Sequence, residues 1–547
     1  MNAITPVLII GAGPVGLTTA CELLRHGVPC RLIDASDGPT RWSKASVLHA
    51  RTLEIFAAMG LIDQALQRGR RLHGLRVFHK GTSLTPLLHV TTDGLDTPYP
   101  FLLGLPQRDT EELLVAHLAR LGGHVERQVR LQTLAQDEEG VSVGLSSMAG
   151  EEHTRARFVV ACDGSYSLTR HLLRLPFDGH SADEVYLQGD VRMRWPAPFP
   201  ADEIQAFFSD EGALVVMPTQ EEGRYRLQAP LPSISDIEPS PATFRRLLAE
   251  RGPTGAEIDE LDWSVVFPVG KRLMRSFRVG RVLFAGDAAH QQSPASAQGM
   301  NLGIQDAHNL AWKLALCVRG LGQPLLLDSY DAERRAAAAA CQEVAEQASR
   351  SFVPALTLRS ALAQDVREAL LRFLSHMTGF RERFTRSLAM LTTRYPESAL
   401  LPEALGSLGG GPAPGEHAPD VELPGSGLPL SARIRPARHL LLLFSGDLES
   451  QPALPFLRRL ALDVRSAYPD GVDTLLLLQR PVAEVGPHEL SDPHGVVHQR
   501  YGARADAWVL LRPDQYVAYR AQPAEEQALF TYLEQVLGAP ALARSVL

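Results

Sequence analysis

Near its start the chain carries an unbroken apolar run, Val7-Leu8-Ile9-Ile10, which gives way to Gly11-Ala12-Gly13-Pro14-Val15-Gly16, then to Leu17 to His26 and Pro29 to Asp34. A short apolar run closed by glycine predicts a buried strand and the longer stretch after it a helix, so this segment reads as a strand–helix–strand unit. From about Gln188 to Trp263 the texture changes to short alternating or β-rich pieces, such as Ala213 to Met217 and Tyr225 to Ala229, separated by Pro and Gly clusters. That pattern predicts an antiparallel sheet inserted into the first domain. Helical texture returns over Asn301 to Val318 and through the alanine-rich Asp331 to Phe352.

Apolar periodicity then disappears between Gly406 and Gly415, where Gly and Pro dominate and predict a hinge. Beyond it, strands are expected at His439 to Phe444, Asp473 to Gln479, Ala507 to Leu511 and Tyr516 to Tyr519. Helices are expected at Ala453 to Ala467 and Ala524 to Leu537. Together these make a small second α/β unit. No internal repeat is evident.

Composition narrows the function classes. The 547 residues carry a net charge of -8, with 21% charged and 45% apolar residues, which fits ordinary globular domains and gives no electrostatic case for nucleic acid. Five scattered cysteines, Cys21, Cys30, Cys162, Cys317 and Cys341, form no C-x-x-C pair, so neither a disulfide framework nor a metal site is expected. No apolar run reaches the roughly 18 residues that a membrane helix needs. A cytoplasmic protein is the expectation.

The glycines Gly11, Gly13 and Gly16 form a G-x-G-x-x-G placed between an apolar strand and a helix. Such a turn lets a pyrophosphate approach backbone N–H groups at the helix start, and Asp34 ends the next strand at the spacing for a ribose hydroxyl. The fingerprint alone does not separate FAD from NAD, nor from a glycine turn that binds nothing. Two further stretches bear on the choice: Phe158 to Arg170, FVVACDGSYSLTR, and Val282 to Leu314, which contains Gly286-Asp287 and runs into a long helix.

In this order the motifs resemble those of the single-component FAD-dependent aromatic hydroxylases, the family with the para-hydroxybenzoate hydroxylase fold. The resemblance implies non-covalent FAD, with Gly11, Gly13, Pro14, Val15, Gly16 and Asp34 at its nucleotide end. Asp163 would serve both FAD and NAD(P)H, and Gly286 and Asp287 the ribityl and pyrophosphate region. Lys44, Arg51 and Gln107 match further cofactor contacts, although the family often has Arg where Lys44 stands. Pro294, Gly299, Met300 and Asn301 would lie along the flavin, with the helix start supporting negative charge on its N1 and C2 carbonyl edge. Where many members have paired glycines, this chain reads Pro294-Ala295-Ser296-Ala297, which implies a stiffer loop.

The implied architecture is α/β: a Rossmann-like FAD-binding domain (1–175 and 265–405), an antiparallel-sheet substrate domain (176–264), and a C-terminal thioredoxin-like domain (415–547) without C-x-x-C. The implied activity is NAD(P)H- and O2-dependent hydroxylation of a small phenolic or polyketide-like aromatic through a C4a-hydroperoxyflavin. Phe207, Met217, Gln228 and Pro294 are the expected pocket lining. No catalytic residue is assigned, and His290 is read as fixing local structure. A homodimer is compatible with this reading. The alternatives are a Baeyer–Villiger or epoxidising oxygenase, and a non-catalytic flavoprotein that binds an aromatic ligand.

Overall fold

The structure, a computed structural model, describes residues 4–541 apart from 41–42, 44, 84–89, 92–94, 196–199, 232–236, 294–296, 348–384, 388, 402–409 and 447–452. The strand Thr5–Ile10 lies between two parallel neighbours, Cys30–Asp34 on one side and the second half of Gly150–Ala161 on the other. Val282–Phe284 continues the parallel set beyond Gly150–Ala161. Val7 to Ile10 are buried on both faces, which explains why their sequence shows an apolar run rather than alternation. The helices Pro14–Arg25 and Gly299–Val318 pack against each other over this sheet.

The inserted sheet is built mainly from Phe177–Arg194, Glu203–Ser209, Gly212–Pro218, Arg224–Leu231 and Glu257–Met274, all antiparallel neighbours where they pair. It reaches beyond 176–264: Gly74–His79 adds in parallel to Glu203–Ser209, and His290–Gln291 pairs with the end of Glu257–Met274. Short strands borrowed from the first domain leave no composition change in the sequence. The helix Pro241–Arg251 covers one face of the sheet, burying Phe244, Leu247 and Leu248 against Phe207, Leu214 and Leu227.

The C-terminal sheet runs Glu489–Ser491, Val472–Leu478, His439–Phe444, Ala507–Leu511, Val517–Ala521. Its first three strands are parallel and the last two antiparallel, with Leu454–Ala467 and Glu526–Leu537 as helices. The anticipated strands at His439 and Ala507 coincide with those observed, and the others differ by one or two residues. Among the described residues no helix is long and apolar enough to cross a membrane.

Ion pairs bind this domain to the first. Arg512, just past the Ala507–Leu511 strand, donates to both oxygens of Glu333 at 2.8 and 2.9 Å and to both oxygens of Asp514 at 2.9 and 2.6 Å. Lys313 Nζ reaches Glu333 Oε2 at 2.7 Å, and Asn309 Nδ2 donates to Glu333 and Asp514. Burial alone would raise the Glu333 carboxyl, but the charges of Arg512 and Lys313 overcome it and hold it far below the usual carboxylate range; Asp514 is lowered against the same penalty, chiefly by Arg512.

Breaking a buried pair leaves the other charge unanswered, which costs about 3–5 kcal/mol. Arg512→Met is therefore expected to lower the unfolding free energy by that order in a denaturant titration of the holoprotein, whereas an unchanged midpoint would show the cluster holds nothing. Because the folded carboxyl pKa values are depressed, their contribution is complete above the unfolded values of about 4 and is lost as pH falls through and below them. The wild type should lose stability from about pH 5 downward, and more steeply than Glu333→Gln.

Candidate functional site: a dinucleotide cradle beneath a sheet

Three separated segments meet at the start of the Pro14–Arg25 helix. Gly11 has φ +99°, and a Cβ there would stand 2.4 Å from the Cys162 carbonyl oxygen; one on Gly16 would lie 1.8 Å from the Gly11 oxygen. Only glycine allows this approach. Val15 is the other meeting point: a Cβ on Gly286 or Gly303 would come within 2.8 or 2.5 Å of its Cγ2. The helix thus touches the Asp163 strand end, the Gly286-Asp287 turn and the Gly299–Val318 helix at once. At Gly13, by contrast, an added Cβ meets nothing within 4 Å, and the helix has no side-chain cap. Open space before uncapped N–H groups is what an anionic phosphate requires.

The acidic residues are held ready. Asp34 Oδ2 accepts from Ala12 N at 2.5 Å and Oδ1 from Ser36 N at 2.7 Å. Asp163 Oδ2 accepts from the Thr169 N–H and hydroxyl at 2.9 and 2.8 Å, while its buried Oδ1 has no partner. Asp287 is exposed on a tight turn whose neighbours are buried. Gln107 donates from its backbone to Ala45 O and from its side chain to Glu111, which itself accepts from Thr40 N. Burial raises the Glu111 carboxyl.

Residues 4–345 match the family described as an FAD binding domain, and residues 411–540 the aromatic-ring hydroxylase C-terminal domain. The chain belongs to the FAD-dependent aromatic-ring hydroxylases. It is 34% identical to a 6-methylpretetramide 4-monooxygenase of Streptomyces rimosus over 96% of this chain and 93% of that one. It is 30% identical to a pentachlorophenol 4-monooxygenase of Sphingobium chlorophenolicum over 95% and 94%. Among solved structures, an anhydrotetracycline hydroxylase from Streptomyces rimosus superposes with a TM-score of 0.75 at 28% identity, covering 98% of this chain and 99% of that one. The protein is accordingly an FAD-dependent monooxygenase that draws electrons from NAD(P)H and acts on an aromatic compound.

For a hydroxylase of this family the cradle fits its cofactor: a glycine-only turn, an open helix start, a ribose-directed acid and an orphaned buried carboxylate oxygen at Asp163 all suit a dinucleotide. Two expected contacts are arranged differently. Arg51 is turned away from the cradle, with its guanidinium on Glu54, Gln515, His417 and the Asp514 carbonyl at 2.7 to 2.9 Å. The Asn301 amide is spent locally, accepting from His49 N and Thr52 Oγ1 and donating to Val47 O and Ala297 O. Asn301 therefore pins the helix start to the 47–52 segment, leaving Gly299 and Met300 at a helix end without a side-chain cap. Ala297, beside them, sits at φ +52°, a conformation costing a non-glycine residue roughly 1–2 kcal/mol. Lys44 and Pro294 lie outside the described residues.

Strand alternation sorts the substrate candidates. Met217 packs on Val47 and Leu72 with Ala297 at the edge, and Gln228 shares its side of the sheet, opposite Val215 and Gln188. Phe207 has the other parity: it is buried beneath the Pro241–Arg251 helix and stacks on Phe78 at 4.8 Å. That corrects the expectation for Phe207, because a one-residue offset along a strand exchanges faces. The cradle-facing side instead adds Tyr186 and Phe267, stacked at 6.2 Å, and half-buried Val265.

Several residues that organise the site were not singled out from sequence. Arg226 pairs with Asp190 at 2.6 and 2.7 Å and donates to Ser43 O and to the Ser46 hydroxyl, while Gln188 Nε2 also donates to Ser43 O. The sheet thereby grips the loop carrying Lys44. Arg170 ties the Asp163 loop to the Asp287 turn through Ala288 O. Asp306 accepts from Gly286 N and His290 Nε2 on one oxygen and from Arg334 on the other, confirming a structural place for His290. Arg226 had a signal, since it shares the parity of Gln228.

Gly13→Ala separates cofactor binding from folding. The open space predicts an apoprotein melting like the wild type but binding FAD at least about tenfold more weakly in a fluorescence titration, while Gly16→Ala should impair folding itself.

Proposed function

We propose that the cradle formed by Gly11, Gly13, Pro14, Val15, Gly16, Asp34, Gln107, Asp163, Gly286 and Asp287 holds FAD, with Gly299 and Met300 at the flavin end and Lys44 and Pro294 joining it. The substrate we infer is a fused-ring phenol of the polyketide type, seated between the flavin and the sheet face of Tyr186, Phe267, Val265, Met217 and Gln228. The observation that carries this is the face itself: aromatic and apolar side chains beside the amides of Gln228 and Gln188, with Ala297 at the edge. An apolar wall with a few hydrogen-bonding groups suits a planar ring bearing hydroxyls. Full-length similarity to the 6-methylpretetramide enzyme points the same way.

When bound in the cradle residues named above, FAD would supply the redox chemistry that links NAD(P)H and O2 to oxygenation of the ring. The chain's own part is to hold the ring and exclude water. The Arg226–Asp190 pair and Gln188 keep the 43–46 loop against the sheet, and the stacked Tyr186 and Phe267 orient a planar substrate. The helix start at Gly299, free of a side-chain cap, offers its N–H dipoles to negative charge. With the C-terminal domain committed to its own chain, we place the active unit in one protomer, in the cytoplasm.

The test is NAD(P)H oxidation with hydroxylated naphthalenes, anthracenes and simple phenols. Oxidation stimulated by fused-ring phenols, with a product one oxygen heavier that keeps its ring carbons, is the expected result. Ring cleavage would indicate Baeyer–Villiger chemistry, and binding without stimulated turnover a non-catalytic role. Gln228→Leu is expected to raise KM for the phenol about tenfold or more with kcat changed less, and to leave FAD affinity intact.

A further inference from the structure

Between the flavin-binding and C-terminal domains lies a small void of about 10 Å³ lined by Arg51, Gln305, His308, Asn309, Asp514 and Tyr516, all buried. Three of them bring a buried side-chain atom without a partner to this one place: Gln305 Oε1, His308 Nε2 and Asn309 Oδ1. They stand on the same turn of the Gly299–Val318 helix.

Their chemistry is defined by what the rest of each side chain does. Asn309 Nδ2 donates to Glu333 Oε2 at 2.8 Å and Asp514 Oδ2 at 3.1 Å, which orients the amide and leaves Oδ1 as an acceptor. Gln305 Nε2 points to Met390 Sδ at 3.5 Å, leaving Oε1 likewise. His308 Nδ1 faces Glu22 Oε1 at 2.9 Å, and Glu22 is held well below the usual carboxylate range, by the charges of Arg25 and His308 against its burial, so it accepts from Nδ1 and leaves Nε2 to the void. Polar voids with two to four partners hold water, and about one water-sized sphere of free volume is the minimum.

We propose that this void is a built site for one internal water molecule, its two O–H groups answering the amide oxygens of Gln305 and Asn309 and its oxygen accepting from His308 Nε2, the ring donating from both nitrogens, to Glu22 and to the water. An apolar ligand is unsuited to three polar atoms, and anything larger than water has no room. The site joins the helix that begins at Gly299 to Asp514 and Tyr516 of the C-terminal domain, so the water completes the polar contact between the two domains. It is separate from the FAD and substrate surfaces proposed above, and failure of either reading leaves the other standing.

Crystals of the FAD-bound protein diffracting beyond about 1.8 Å should show a single peak within about 2.6–3.2 Å of the three atoms. In solution, oxygen-17 relaxation dispersion should count one fewer long-lived internal water in Gln305→Met, whose side chain fills the void, with NADPH oxidation changed less than twofold. Asn309→Leu serves as a second variant should the first fail to fold. Clear density for the three side chains around a dry void would overturn the proposal. So would an amide reoriented onto protein partners, an anomalous signal showing thallium bound after a thallium soak, or an unchanged water count in both variants.

Discussion

A carboxylate removed from water must be answered by a cation or it gives up its charge, and the centre of this molecule is arranged around that requirement. Asp306 is the pivotal case. It is fully buried, it fixes the Gly286 N–H on one oxygen and Arg334 on the other, and opposing charges hold its carboxyl below the usual range in spite of burial. From it the polar contacts continue through Arg334 to the Tyr395 hydroxyl, and from neighbouring Glu333 to Arg512 and Asp514. Across the cluster, Arg51, Lys313, Arg334 and Arg512 stand against Glu54, Asp306, Glu333 and Asp514, all buried. Equal numbers of either sign let so many charges share one interior, and the turn bearing Asp287 inherits its position from them.

The cradle was legible in the sequence because its determinants are local. Glycine at 11, 13 and 16, the apolar run before them and Asp34 after them each report a backbone constraint within a few residues. The gathering of the Asp163 and Asp287 motifs at one place was expected from motif order, and the close approaches at Gly11, Gly16 and Val15 bring them together. What escaped depends on pairs far apart in the chain. Arg51 looks like a cofactor ligand from its neighbours in sequence, yet besides Glu54 its guanidinium partners are more than 360 positions away. Asp306, His308, Asn309 and Lys313 occupy several sides of one helix that is buried all round, so no amphipathic period marked which was structural.

The substrate face shows the same division. Alternation in Gly212–Pro218 and Arg224–Leu231 established that a sheet was present, and strand pairing sets Met217 and Val215 on the same face as Arg226 and Gln228. Phe207 stands on a strand whose register to these could not be known in advance, since Gly74–His79 joins from the other side and two faces of the sheet are apolar for different reasons. One face is covered by the Pro241–Arg251 helix, and the other carries Met217, Tyr186 and Phe267. Composition cannot tell a packed phenylalanine from a waiting one.

The interlocked charges also change what the domain boundary means. The second family segment begins at residue 411, and such a boundary invites the view of two modules joined by a tether. Removing the chain beyond that point would strip Glu333 of Arg512, take the Gln515 side chain and the Asp514 carbonyl from Arg51, and uncover Asn309 on the Gly299–Val318 helix. The seam in ancestry is therefore not a seam in mechanics: the C-terminal portion serves as the keystone of the oxidising half, and neither piece is expected to stand as a separable part.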